Sequence, residues 1–151
     1  GLKNVFRAGV VAHVPERNET IIEWRRHRLR ARLQPGFSEG TQVTWAISQG
    51  QIVLVEGDAL PVEANVLDGT VLRYVRLGHN AAITVAIRGA DRPPVFMSVP
   101  LHVARRQGIQ IGAGIRIALL AEGIHLMPAD MRPEAEIDKH RRMQPAADVA
   151  A

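Results

Sequence analysis

Apolar and polar positions alternate with a period of two through most of residues 1–128, in short runs. Over residues 28–33 the pattern is strict: Leu29, Ala31 and Leu33 fall on one side, Arg28, Arg30 and Arg32 on the other. Alternation of that kind belongs to a strand with one buried face. Comparable runs cover 5–14, 20–24, 42–47 and 52–55, and then 66–75, 82–87, 95–99, 115–120 and 123–127. Breakers separate them, among them Pro35-Gly36, the tight turn Gly78-His79-Asn80, and the longer Gly89–Pro94. After residues 95–99, Pro100 opens a short helix to about Arg106, because the first helical turn tolerates a missing N–H. Gly108 ends it. Roughly ten short strands and one helix predict an all-β chain built as a small barrel or sandwich.

The pattern occurs twice. Asn4-Val5-Phe6-Arg7-Ala8-Gly9-Val10 returns as Asn65-Val66-Leu67-Asp68-Gly69-Thr70-Val71, every number raised by 61. Val43-Thr44-Trp45-Ala46-Ile47 returns as Ile115-Arg116-Ile117-Ala118-Leu119, every number raised by 72. Ile52-Val53-Leu54 matches Ile124-His125-Leu126 at that second offset. The second copy is therefore longer by 11 in its middle, an insertion expected around Gly89–Pro94. Two long copies argue against a solenoid and predict a duplicated β unit. The sequence divides into a first repeat over 1–58, a second over 59–128 and a tail over 129–151. The tail, with Pro133 and Pro145 and no β alternation, is expected to be mobile and to hold at most one exposed helix, from Glu134 to Met143.

Composition narrows the chemistry. The chain is 46% apolar but only 4% aromatic, so its core is mainly aliphatic. It has no cysteine, which excludes disulfides, thiol nucleophiles and Cys-based metal sites. Six scattered histidines include no HExxH pair, and no other metal-ligand spacing is present. GxxxxGK[ST], GxGxxG and GxSxG are absent, as is any pair of carboxylates placed for acid–base work. This stretch of chain is expected not to be an enzyme and to hold no cofactor or metal. Net charge is +4, and residues 129–151 hold four bases and five acids, so residues 1–128 carry +5.

That excess concentrates in Trp24-Arg25-Arg26-His27-Arg28-Leu29-Arg30-Ala31-Arg32. One reading is a solvated outer face, compensated by Glu19 and Glu23 on the preceding strand. A second is a docking surface, formed by Arg26, Arg28, Arg30 and Arg32, for an acidic partner or an anionic membrane surface. Nucleic acid is disfavoured, because single-strand binding uses stacking platforms and only Trp24 lies nearby.

The two strand openings resemble the "N-V-L-x-G-x-V" start of the TOBE, or molybdate-binding-protein-like (MOP-like), module. Phe96–Gly112 is similar to that module's strand, short helix and glycine turn, and Gln42–Leu54 to its closing strands. The resemblance covers residues 4–128 and implies a duplicated OB-like or MOP-like β-barrel. Tandem modules of this family commonly form the C-terminal regulatory domain of the ATP-hydrolysing subunit of bacterial ABC importers. The resemblance therefore implies several partners: an ABC ATPase domain of the same polypeptide, carrying ATP and Mg; a second subunit in a homodimer; and an inner-membrane permease. It implies a cytoplasmic location, peripheral to the inner membrane.

Members that take up molybdate open with "S-A-R-N", here Gly1-Leu2-Lys3-Asn4 and Val62-Glu63-Ala64-Asn65. Both asparagines are kept, and neither serine is. The family's later lysine falls at Ser48 and at Leu120. Candidate oxyanion contacts are thus Lys3, Asn4, Ser48 and Asn65, with Glu63 opposing an anion in the second copy. Against ligand contact stands a local role, since asparagine at a strand start often bonds its own backbone. A free-standing tandem oxyanion-binding protein for molybdate or tungstate is the other reading of the same resemblance.

Overall fold

The computed structural model describes residues 4–57, 64–89 and 91–129. Lys3, Glu63 and the tail from Asp130 onward, with its expected helix, lie outside the described residues.

Each strand forms where the alternation places it. The first repeat gives β1 (Asn4–Val14), β2 (Glu19–Trp24), β3 (His27–Arg32), β4 (Gln42–Ile47) and β5 (Ile52–Leu54). The second gives β6 (Ala64–Leu77), β7 (Asn80–Ile87), β8 (Pro94–Pro100), a short helix α1 (Leu101–Arg106), β9 (Gly114–Leu120) and β10 (His125–Pro128). Short 3-10 turns at Pro15–Arg17, Gln49–Gln51 and Ala121–Gly123 are additions that periodicity does not show.

The strands make two five-stranded antiparallel sheets, in the orders β10-β4-β1-β2-β3 and β5-β9-β6-β7-β8. Each repeat thus sends its closing strand to the other sheet. β5, from the first repeat, pairs with β9. β10, from the second, pairs with β4. The compact units follow this exchange: unit 1 runs to Ile47 and resumes at Ile124, and unit 2 is Ser48–Gly123. Both departures from a sheet pass through an equivalent 3-10 turn, Gln49–Gln51 after β4 and Ala121–Gly123 after β9.

Unit 1 has an aromatic centre inside its aliphatic core. Phe6, opposite Trp45 in register, lies 5.0 Å from that ring and 4.8 Å from Trp24. The two indoles meet edge to face at 5.1 Å, a favoured geometry for ring quadrupoles. Both are fully buried. Unit 2 is filled by Leu67, Val71, Ile83, Val85, Ile87, Val95, Met97, Ile117 and Leu119 instead.

The duplication extends to irregularities. The β1–β2 register skips Val11 and the β6–β7 register skips Leu72, positions related by the same offset of 61 as the motifs. An extra residue there bends and twists the long first strand, which helps each sheet to coil. Register also corrects the expected place of the insertion. The offset is 61 from Val10 to Val71, 63 from Ile22 to Val85, 66 from Leu29 to Val95, and 72 from Trp45 to Ile117. Only three of the added residues fall at Gly89–Pro94, two lie in the β6–β7 hairpin, and six lie around α1. Sequence matching misplaced them because the middle strands share packing but little identity.

Unit 2 brings its two edge strands, β5 and β8, against one another, giving a nearly closed barrel. Unit 1 bridges the corresponding gap with a side chain. Gln34, just after β3, accepts from Leu126 N–H at 3.1 Å through Oε1 and donates to the Ile124 carbonyl at 3.5 Å through Nε2. Its amide serves β10 as a short substitute strand would. Gln34 is itself held, its N–H donating to Thr20 Oγ1 at 2.8 Å. The Thr20 hydroxyl then donates to His13 Nδ1 at 2.9 Å, and His13 Nε2–H donates to the Phe37 carbonyl, a tautomer assigned because it satisfies every partner.

The β2–β3 turn shows strain. Trp24 pairs with His27, leaving Arg25 and Arg26 as a two-residue loop with φ of 47° and 72°. Both are left-handed, as a type I′ turn requires, where Asn-Gly is the relaxed choice. Left-handed backbone at a residue with Cβ costs about 1 kcal/mol. Replacing Arg25-Arg26 by Asn-Gly is therefore expected to stabilise unit 1 by about 1–2 kcal/mol. Denaturant unfolding followed by tryptophan fluorescence measures it, and an unchanged midpoint would refute the strain.

Candidate oxyanion positions and the arginine strand

Asn4 and Asn65 open β1 and β6 at matching places. Asn4 faces Ile47 across the sheet and its Nδ2 donates to the Ile47 carbonyl at 3.3 Å. Asn65 faces Leu119, with Nδ2 donating to the Leu119 carbonyl at 3.1 Å. They are 1% and 6% exposed. In both copies the Asn Nδ2 bonds the opposing strand. Each ties down the last paired residues of the strand that precedes an exchange crossover. A buried amide so placed stabilises through a satisfied hydrogen bond, worth about 1 kcal/mol net.

Ser48 is exposed in the connection after β4 and its side chain does not cap the 3-10 turn that follows. Leu120, its counterpart, is half-buried. The structure groups Asn65 with unit 2 and Asn4 with unit 1. Among the described residues no group of three or more His, Asp or Glu is placed to hold a metal ion.

The arginine strand is arranged as its alternation predicts. Leu29 and Ala31 are buried, while Arg28 and Arg32 are exposed on the opposite face and Arg26 is exposed at the turn. Compensation is less than expected. Glu19 Oε2 lies 3.6 Å from Arg30 Nε, a diagonal contact, since Glu19 is directly opposite Arg32. Glu23 faces Arg28 in register but makes no ion pair with it among the described residues. Trp24 is 0% exposed, so the stacking platform that single-stranded nucleic acid needs is not presented.

Sequence reading missed two charged contacts in unit 2. Asp68 and Arg116 are opposite each other on β6 and β9, with Oδ1 accepting from Nε at 2.8 Å. The Arg116 hydrogen bond holds the Asp68 carboxyl below its ordinary pKa. The offsets of 61 and 72 could have revealed this pair, because they align it with Arg7 and Thr44, which also face each other. Glu56, just past β5, accepts from Arg106 at 2.7 Å and from Gln107 at 2.9 Å, and the Arg106 bond lowers its pKa. These bonds fasten the end of α1, and no local pattern announces a contact so distant in sequence.

No family model matches the chain, and no curated protein matches it. Among solved structures, the chain is similar to the cytoplasmic molybdate-binding protein ModG in a crystal form with molybdate bound, with a TM-score of 0.73 and 22% identity. The alignment covers 83% of this chain and 96% of ModG. At that identity the likeness speaks to the fold, which is all-β, duplicated and MOP-like.

Proposed function

We propose that these residues form a non-catalytic regulatory and dimerisation domain, joined in one polypeptide to the ATPase domain of a bacterial ABC importer. The observation that carries this reading is the MOP-like tandem, with a TM-score of 0.73 to ModG, combined with the commitment of its two equivalent asparagines to the backbone. What the copies share is strand cores, bulges and the two carbonyl-bound amides. That is a set of residues that maintains architecture. In this reading ATP and Mg belong to the ATPase domain, the permease is reached through it, and the location is cytoplasmic at the inner membrane. No helix among the described residues is long and apolar enough to cross a membrane.

A doubly charged oxyanion needs several converging donors, preferably with positive charge. Here Leu120 replaces a donor in the second copy, and one N–H of each of the Asn4 and Asn65 amides already serves a carbonyl. Calorimetry with molybdate, tungstate and sulfate is therefore expected to give no binding heat. Micromolar binding would favour the second reading, a free-standing tandem oxyanion-binding protein, with which the likeness to ModG is compatible. The reading frame preceding Gly1 separates the two independently. It is expected to encode a GxxxxGK[ST] loop, and its absence would sink the importer proposal.

A further inference from the structure

β6 is flanked on both sides over only part of its length. β9 pairs with it over residues 64–70, and the turn before β9 continues that contact as far as Val71. Over residues 72–77 it pairs with β7 on one side, and among the described residues no backbone hydrogen bond reaches it on the other. Among the described residues, large apolar side chains are exposed at Leu72, Val75, Leu77, Ile111 and Met127. The first three lie on this bare segment. Ile111 belongs to the turn beside it, where Gly112 N–H donates to the Val71 carbonyl at 2.8 Å. Unit 1 treats the equivalent segment differently. Residues 11–14 are half-buried, His13 bonds the Phe37 carbonyl of a neighbouring loop, and β1 ends at Val14, the counterpart of Val75. The repeated architecture therefore does not demand an exposed apolar edge, and such an edge is a template for another strand. We propose that β6 pairs antiparallel with β6 of a second copy of this chain, around a two-fold axis at Val75. The inference deepens the dimerisation part of the proposed function, on which it rests, and does not involve the ATPase domain.

Backbone and charge both select this register. Leu77 and Asn80 close the two-residue loop Gly78-His79, so they exchange hydrogen bonds with each other. Bonding direction alternates along an antiparallel strand. Arg73, Val75 and Leu77 thus turn their backbone groups to β7, while Tyr74 and Arg76 turn theirs to the bare edge. The bulge at Leu72 ends the alternation. An axis at Val75 sets Tyr74 opposite the partner's Arg76, and Arg76 opposite the partner's Tyr74. Each pair then exchanges N–H and C=O bonds in both directions. An axis at Tyr74 would oppose Arg76 to the bulged Leu72, and an axis at Arg76 would set like charges face to face. Side chains agree with the backbone. Valine meets valine on the axis, and on the same face Leu77 lies over the aliphatic stem of the partner's Arg73. On the other face Tyr74 meets the guanidinium of the partner's Arg76, a cation–π pair. A strand from a different protein would have to supply this alternation, whereas a second copy supplies it by symmetry.

The chain contains no cysteine, so single cysteines report the register. In the full chain, Val75→Cys is expected to form a covalent dimer under mild oxidation about tenfold faster than Leu77→Cys. Accessibility alone predicts the opposite order, since Leu77 is 61% exposed and Val75 41%. In the proposed register the two Leu77 positions are about 14 Å apart, beyond the reach of a disulfide. Sedimentation of the unmodified chain should show a dimer at about 100 μM. Arg76→Pro removes an outward N–H but no bond to β7, so it should weaken that dimer about tenfold with circular dichroism unchanged. Equal cross-linking at the two positions, or full dimer strength in Arg76→Pro, overturns this interface and leaves dimerisation to another surface. A monomer at the same concentration overturns the interface and the dimerisation reading together, and leaves the edge to a strand of a different protein.

Discussion

Gly69→Ala is expected to unfold both units at a lower denaturant concentration, although the substitution sits in unit 2 alone. A Cβ at Gly69 would lie 2.5 Å from the Ala86 carbonyl oxygen and 2.6 Å from Val85 Cγ1. The first is backbone of the paired strand β7, so no side-chain rotation relieves it. Overpacking of this kind costs about 3 kcal/mol. Ala8 holds the matching place in β1 and is accommodated. The constraint therefore comes from how β7 crowds β6, not from the fold position as such.

The spread to unit 1 follows from chain connectivity. Unit 2 is inserted between the two segments of unit 1. When it opens, unit 1 must hold β10 against β4 across a loop made of the whole of Ser48–Gly123. Closing a loop of that length costs up to about 4 kcal/mol. Both tryptophans, Trp24 and Trp45, belong to unit 1, so indole fluorescence reports that unit alone. The fluorescence midpoint should fall together with the far-UV circular dichroism midpoint. A fluorescence transition left in place while the dichroism signal shifts would show the units to be independent.

The reverse experiment should behave differently. Trp45→Ala removes a 0% exposed ring that faces Phe6 on one side and Leu126 of β10 on the other. The expected loss is about 3–5 kcal/mol, enough to open unit 1 under mild conditions. Unit 2, contiguous from Ser48 to Gly123 and including β5, closes no long loop and keeps its own core. Hydrogen exchange should rise throughout β1–β4 and β10 while β6–β9 stay protected. Loss of protection in β6–β9 to the same extent would refute this one-way dependence.

Much of this structure was legible in local patterns, and the failures share a cause. All ten strands and the helix follow from alternation and breakers, because those signals act within a few residues. The buried Leu29 and Ala31 beneath exposed Arg28 and Arg32 are the plainest case. Strand exchange was not legible. The closing segments of the two repeats have nearly interchangeable sequences, Ile52-Val53-Leu54 and Ile124-His125-Leu126, so nothing in them declares which sheet each joins. At the candidate site, the equivalence of Asn4 and Asn65 was visible, whereas their carbonyl partners depend on cross-strand register. Glu23 had the position of a partner for Arg28, yet facing in register did not produce an ion pair. Exposed pairs of that kind gain little, and side-chain entropy opposes them.

The exchange also sets an order of events at the ribosome. When residues 1–57 have emerged, β4 has an unpaired outer edge, and its eventual neighbour β10 is still to be synthesised. At ordinary synthesis rates, making residues 58–128, through the end of β10, takes about 4–14 s. During that interval β5 waits too, because its neighbour β9 is also still to be made. The first repeat therefore carries two strands whose neighbours are not yet made. Completion of unit 1 waits for the last strand of the duplication to emerge.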